Sequence, residues 1–137
     1  MPANMLQPRL DVRLPADARA PSAARAALDP VTSDLIPERH DDARLLVSEL
    51  ATNSIRHARL ERGGWVRLTA CVEEGSLRVE ITDSGRGFEP AVPKDADPEL
   101  GSGRGLFLVD ALADRWGVDR NGVTRAWFEM DLAASAN

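Results

Sequence analysis

Apolar positions recur along this chain with two different periods, and the alternation between them lays out its elements. Arg9 to Leu14 alternates polar and apolar, which predicts a half-buried strand ended by Pro15. Asp17 or Pro21-Ser22 starts a short helix that runs through Leu28, where Asp29-Pro30 stops it. Val31 to Pro37 then connects to a long helix from about Glu38 to Leu60, with Gly63-Gly64 as its stop. At about 100° per residue, Ala43, Leu46, Val47, Leu50, Ala51, Ser54 and Ala58 form one apolar or small face of that helix. Trp65 to Val72 and Leu77 to Thr82 alternate around Glu73-Glu74-Gly75-Ser76, which predicts a hairpin.

Periodicity disappears between Asp83 and Gly103, a segment rich in glycine, proline and acids. So long a connection inside a small domain is functional or mobile. Leu106, Phe107, Val109, Asp110, Leu112 and Ala113 restore a helical spacing. Asp114 to Asp119 and Val123 to Leu132 then form a second hairpin about Asn121-Gly122, the favoured two-residue turn. The order is strand, helix, helix, two strands, long loop, helix, two strands. It implies an α+β two-layer sandwich, with a mostly antiparallel mixed sheet and helices on one face.

A length of 137 residues suits one core. We assign 1–8 and 133–137 as tails and 9–132 as the domain. An apolar fraction of 43% with 28% charged residues is that of a soluble globular protein. No run of 18 apolar residues spans a membrane, and no basic-then-apolar segment at the N-terminus directs secretion, so a cytoplasmic protein is expected. The net charge of −5 argues against nucleic acid as the main partner. The single cysteine, Cys71, is expected to be a small core residue. Lys94 is the only lysine against sixteen arginines, a composition typical of a GC-rich bacterial genome.

Three segments carry candidate chemistry. Glu49 and Asn53 lie four residues apart, one above the other at the shoulder of the long helix, with His57 continuing the row. A carboxylate and a carboxamide there can reach something bound beside the helix; an amphipathic helix with a polar flank is the plainer reading. Asp83-Ser84-Gly85-Arg86-Gly87-Phe88 directly follows a strand. Its glycines admit positive φ and close approach of a flat ligand, and Asp83 can accept a hydrogen bond from an exocyclic amine such as that of adenine. An ordinary turn has the same residues. Gly101-Ser102-Gly103-Arg104-Gly105-Leu106 opens a helix, whose free N–H groups and dipole bind phosphate. It is not a Walker A loop, since Gly-Lys-Ser/Thr is missing, and Leu106 stands where Gly-x-Gly-x-x-Gly needs its third glycine. Together they could meet the needs of a nucleoside triphosphate: a base contact (Asp83), a phosphate cradle (Gly103 to Leu106), an oxygen ligand for Mg²⁺ (Asn53) and a base for the nucleophile (Glu49).

The motifs Glu49-Leu-x-Thr-Asn53-x-x-x-His57-Ala58, Asp83-x-Gly85-x-Gly87 and Gly103-x-Gly105-Leu106-x-Leu108-Val109 resemble the N, G1 and G2 boxes of the GHKL, or Bergerat-fold, ATPases, which include gyrase, a heat-shock chaperone and histidine kinases. The chain is most similar to the small anti-sigma-factor serine kinases; Ala111-Leu112-Ala113-Asp114-Arg115-Trp116-Gly117-Val118 is especially like their bacterial members. The resemblance covers roughly residues 9 to 132.

It implies ATP and Mg²⁺ as cofactors, Glu49 as general base, Asn53 as metal ligand and Asp83 as the adenine contact. Gly85 and Gly87 would shape the adenine pocket, and Gly103, Gly105 and Leu106 would line the phosphates. Thr124 matches a strand threonine that supports adenine recognition, though a plain β-branched strand residue reads the same. Phe88 to Gly101 would be a lid over the nucleotide. Among Arg56, Arg86 and Arg104, Arg104 is the first choice to neutralise phosphate, and His57 buttresses its helix.

The implied function is a regulatory serine/threonine protein kinase that phosphorylates a small anti-anti-sigma (STAS) partner and sequesters a sigma factor. Neither nucleic acid nor membrane is a partner in this reading, and family members often form homodimers. The alternative is a nucleotide-dependent binding regulator without phosphotransfer; the presence of Glu49 favours the kinase. A histidine-kinase module would need an upstream dimerisation helix, and a gyrase-like ATPase a transducer domain after Asn137. Two departures from the pattern are Ser54, where alanine is common, and the breaks at Asp29-Pro30 and Pro37 in the basic segment holding Arg19 and Arg25.

Overall fold

The computed structural model describes residues 10–33, 35–58, 63–84, 108–120 and 122–132, with the side chains of 57, 58 and 120 left aside. The elements are β1 (Leu10–Leu14), α1 (Ala20–Thr32), α2 (Pro37–Ala58), β2 (Val66–Glu73), β3 (Ser76–Asp83), β4 (Arg115–Arg120) and β5 (Thr124–Asp131). A helical segment at 108–112 precedes β4. The strands form one sheet in the order β1-β2-β3-β5-β4, and every described pairing is antiparallel. The tails at 1–8 and 133–137 and the lid segment lie outside the described residues.

Period-two patterning gives the sheet one dry face. Register places Leu10, Ala70, Val79, Phe128 and Trp116 in one row across it, and Val12, Leu68, Ile81, Ala126 and Val118 in the next. Helices α1 and α2 cover this face, α1 over β1 and β2 and α2 chiefly along β3. The predicted α2 face is buried at Ala43, Leu46, Val47, Leu50, Ala51 and Ser54, joined by Ile55. Val109 of the helical segment is also fully buried.

Three sequence expectations are corrected. Helix α1 continues through Pro30 to Thr32. Pro30 removes the N–H that would bond the carbonyl of Ala26 and crowds that carbonyl, but the last turn is held by other means. Arg44 bonds both oxygens of Asp29, at 2.5 and 2.6 Å, and the Thr32 hydroxyl lies 2.9 Å from Nδ1 of His40. The second hairpin has a three-residue connection, because Arg120 pairs with Thr124; Gly122, at φ +91°, supplies the left-handed position. Cys71 is half-buried on the open face opposite Arg78, since Val66, Leu68 and Ala70 take the inward positions of β2. Burial pushes its thiol pKa up, and the nearby Glu73 carboxylate adds to the rise.

The first hairpin turns on Glu74 and Gly75, at φ 53° and 76°, as a two-residue turn with both central residues left-handed requires. On the open face the Trp127 ring lies against Gly117, with the Arg78 guanidinium 4.2 Å from its centroid. A Cβ at position 117 would stand 2.8 Å from Trp127 Cζ2. Gly117→Ala is therefore expected to displace the indole and to cost roughly 1–3 kcal/mol. Thermal denaturation and tryptophan fluorescence check this; unchanged values in both would contradict the packing.

The same face carries a chain of ion pairs. Arg78 bonds Glu80 and Glu129, Arg115 bonds Glu129 and Asp131, and Arg67 bonds Asp11. Hydrogen bonds from Arg115 hold the pKa values of Glu129 and Asp131 below their ordinary 4.5 and 3.8, and one from Arg67 lowers that of Asp11 below 3.8. A carboxylate whose pKa is depressed on folding stabilises the fold fully above its unfolded pKa and loses that contribution as pH falls through the folded value. The contribution of these three carboxylates is therefore expected to be flat above about pH 5 and to decline below about pH 4, less steeply in high salt because they are largely exposed. Urea denaturation across that range tests it; stability that rises on acidification would contradict it.

Candidate nucleotide site

A third row crosses the dry face at the far end of the central strands: Leu14, Val66, Asp83 and Thr124. Its last two positions turn polar. Asp83 is fully buried and Thr124 nearly so, and they are direct partners in the ladder between β3 and β5. Both take part in polar interactions, and the Asp83 Oδ2 atom is itself buried. Burying a carboxylate at this depth is costly unless hydrogen-bond donors meet it. Its place at the end of a strand leaves it able to serve a donor arriving from beyond the sheet.

Ser84 fixes this strand end in a way the sequence did not signal. Its N–H donates to the Trp65 carbonyl at 3.1 Å, and its hydroxyl accepts from the Trp65 N–H at 2.9 Å. One backbone bond and one side-chain bond thus tie the chain to Trp65 just past the end of the ladder. The only trace in the sequence is the serine of Asp-Ser-Gly, which is equally common in plain turns.

Glu49 and Asn53 lie on α2, half-buried, beside Leu50, Ala51 and Ser54. Which end of the sheet they approach follows from the start of the helix. Arg39 Nη1 lies 3.9 Å from Asp114 Oδ2, and that same oxygen accepts the N–H of Asp131, at 2.7 Å. The first turn of α2 is therefore at the Asp131 end of β5, opposite Thr124. Twenty-two residues of helix span about 33 Å, and an eight-residue strand about 26 Å. Running along β3, the second half of α2 brings Glu49 and Asn53 toward the end that holds Asp83 and Thr124.

Four of the site residues expected from the sequence are thus described, two on α2 and two on the sheet. Gly85, Gly87, Gly103, Arg104, Gly105 and Leu106 lie outside the described residues, as do Arg86 and the side chain of His57. Arg56 is exposed and has a polar interaction of its own. Among the described residues no group of three or more His, Cys, Asp or Glu side chains is disposed to hold a metal, and no helix is long and apolar enough to cross a membrane. The donor set fits a purine nucleotide with a hard cation. It offers a buried carboxylate and a threonine at the sheet, and a neutral amide oxygen on the helix, suited to an ion that keeps water and phosphate oxygens around it.

The similarity to known proteins agrees with this geometry. The model of the histidine kinase-like ATPase domain matches residues 14–130. The anti-sigma F factor of Clostridium acetobutylicum is 31% identical over 119 residues, covering 80% of this chain and 82% of the relative. The serine-protein kinase RsbW of Staphylococcus aureus is also 31% identical, covering 77% of this chain and 75% of that one. Among solved structures, the blue-light activated histidine kinase of Erythrobacter litoralis EL346 superposes with a TM-score of 0.65 at 27% identity, over 84% of this chain. The histidine kinase domain of the same protein gives a TM-score of 0.56 at 35% identity, over 67% of this chain. This chain spans less than half of those solved chains, 41% and 44%. With the match running from the last residue of β1 almost to the end of β5, the chain belongs to the histidine kinase-like ATPase domain family, the GHKL ATPases.

Proposed function

We propose that this chain is an ATP-dependent serine/threonine protein kinase of the anti-sigma-factor type. Its substrate would be a small STAS-domain partner, and its regulatory target a sigma factor that it sequesters. The observation that carries the reading is the paired burial of Asp83 and Thr124 at the sheet end toward which Glu49 and Asn53 run. The names of the relatives, anti-sigma F factor and serine-protein kinase, support the same class.

In this reading Asp83 accepts a hydrogen bond from the adenine amino group and Thr124 supports it. Gly85 and Gly87 let the base lie close. Asn53 would supply a protein oxygen to Mg²⁺, which when bound would neutralise charge on the phosphates. Gly103, Arg104, Gly105 and Leu106 would line those phosphates. Glu49 takes the proton of the partner's hydroxyl as the new O–P bond forms and the bond to ADP breaks.

Asp83→Asn is expected to weaken ATP binding and to narrow the preference for adenine over guanine nucleotides, because the carboxamide loses the negative charge and one acceptor oxygen and gains an NH2 that can donate to a guanine 6-oxo group. Competition titrations with ATP and GTP check it; unchanged selectivity would remove Asp83 from the base site. The activity itself is tested with radiolabelled ATP and candidate partners encoded beside this chain. Label transferred to a partner hydroxyl supports the kinase. Nucleotide retained without transfer to any partner supports a binding regulator instead.

A further inference from the structure

Helices α1 and α2 pack against each other, and α1 brings several small side chains to the core. Ala20, Ala24 and Leu28 of α1 are fully buried, with Ala23, Ala27 and Val31 partly so; Ala43 and Val47 are among the buried residues of α2. Beside this contact runs a polar seam with helical spacing on both helices: Arg25, Asp29 and Thr32 on α1, and Ser48, Arg44 and His40 on α2 in antiparallel order.

Every member of the seam meets its opposite number. Arg25 Nη1 donates to Ser48 Oγ at 2.9 Å. Arg44 grips both oxygens of Asp29, and His40 Nε2 lies 3.7 Å from Asp29 Oδ1. The Thr32 hydroxyl is 2.9 Å from His40 Nδ1. On α2 itself Ser48 Oγ donates to the Arg44 carbonyl, and Thr52 Oγ1 donates to the Ser48 carbonyl, each at 2.9 Å. A slip of one turn in one direction would set Arg25 against Arg44, two like charges. The opposite slip would set Asp29 against Ser48 and Arg25 against Thr52, dissolving the ion pair. Polar contacts of this kind specify register more than they stabilise.

We infer that this seam is a positioning device for the nucleotide site, with Arg25 and Ser48 as positioning residues that act through α2. This rests on the reading of Asn53 as the Mg²⁺ ligand. Ser48 and Thr52 directly precede Glu49 and Asn53, so the seam ends beside the two site residues of the helix. A one-turn slip taken up by α2 would move both by about 5.4 Å along the sheet, out of reach of the groups they would serve in this reading. Asp83 and Thr124 belong to the sheet and would stay in place. The seam therefore governs the metal half of the site and leaves the adenine half alone.

The test separates those halves by calorimetry, below the unfolding temperature, with adenosine in the absence of metal and with ATP in the presence and absence of Mg²⁺. Arg25→Ala is expected to leave adenosine affinity unchanged and to cut the enhancement of ATP binding by Mg²⁺ roughly tenfold, with Arg25→Lys regaining most of it. Ser48→Ala, which removes the acceptor and keeps the guanidinium, carries the same expectation if Arg25→Ala does not fold. An Mg²⁺ enhancement equal to that of the unaltered protein overturns the inference, as does a parallel loss for adenosine. Absence of any enhancement in the unaltered protein would instead defeat the assignment of Asn53, and this inference with it.

Discussion

Replacing Glu49 with alanine is expected to abolish partner phosphorylation while Mg·ATP still binds. Glu49 is half-buried on α2, one turn before Asn53, and the sheet supplies the base contact without it. A positioned general base contributes about 10²–10⁴-fold to a proton-coupled step, or about 3–5 kcal/mol of barrier. Glu49→Gln keeps the shape and removes the basicity, so it should be as inactive as the alanine variant. Single-turnover label transfer, read beside ATP affinity, checks both. Transfer at the unaltered rate would end the proposal for Glu49, and the binding-regulator reading would then explain the chain better.

The second large effect is expected at Asn53. Asn53→Ala removes the oxygen that, in this reading, α2 gives to the cation. Even residues that touch a metal only through its ligands cost about 10- to 100-fold in affinity. Loss of a direct ligand should therefore weaken Mg²⁺-dependent ATP binding by at least about a hundredfold. Metal-free adenosine binding should persist, because Asp83 and Thr124 lie on the sheet. Stability should change little, since Asn53 is half-buried at the shoulder of the helix and not within its dry face. Mg²⁺-dependent affinity equal to that of the unaltered protein would remove Asn53 from the metal site.

The parts of the fold governed by one local period were legible in the sequence. The buried face of α2 matches the 3.6-residue spacing at every described position, and the strand pairs follow from alternation and from Glu74-Gly75. The misses share a physical cause. Proline at 30 is a strong local stop signal, but Asp29 and Thr32 are anchored by α2, and tertiary contacts outweighed it. Cys71 is apolar enough for a core, yet the pleat of β2 had already given the inward positions to its neighbours. Asn121-Gly122 read as a complete turn because ladder register is not visible in a dipeptide. At the site, the motifs pointed to Asp83, whereas its burial and its pairing with Thr124 follow only from the register of β3 and β5. The polar seam escaped notice because its members are spread over two helices, and each alone reads as an ordinary polar residue of a helix flank.

A structure of this chain with Mg²⁺ and a non-hydrolysable ATP analogue tests the central claim most directly. The account predicts the Asn53 side-chain oxygen at about 2.0–2.1 Å from the cation. It also predicts the Asp83 carboxylate at about 2.7–3.2 Å from the adenine amino nitrogen. A nucleotide bound elsewhere, or an Asn53 turned away from the metal, would contradict it.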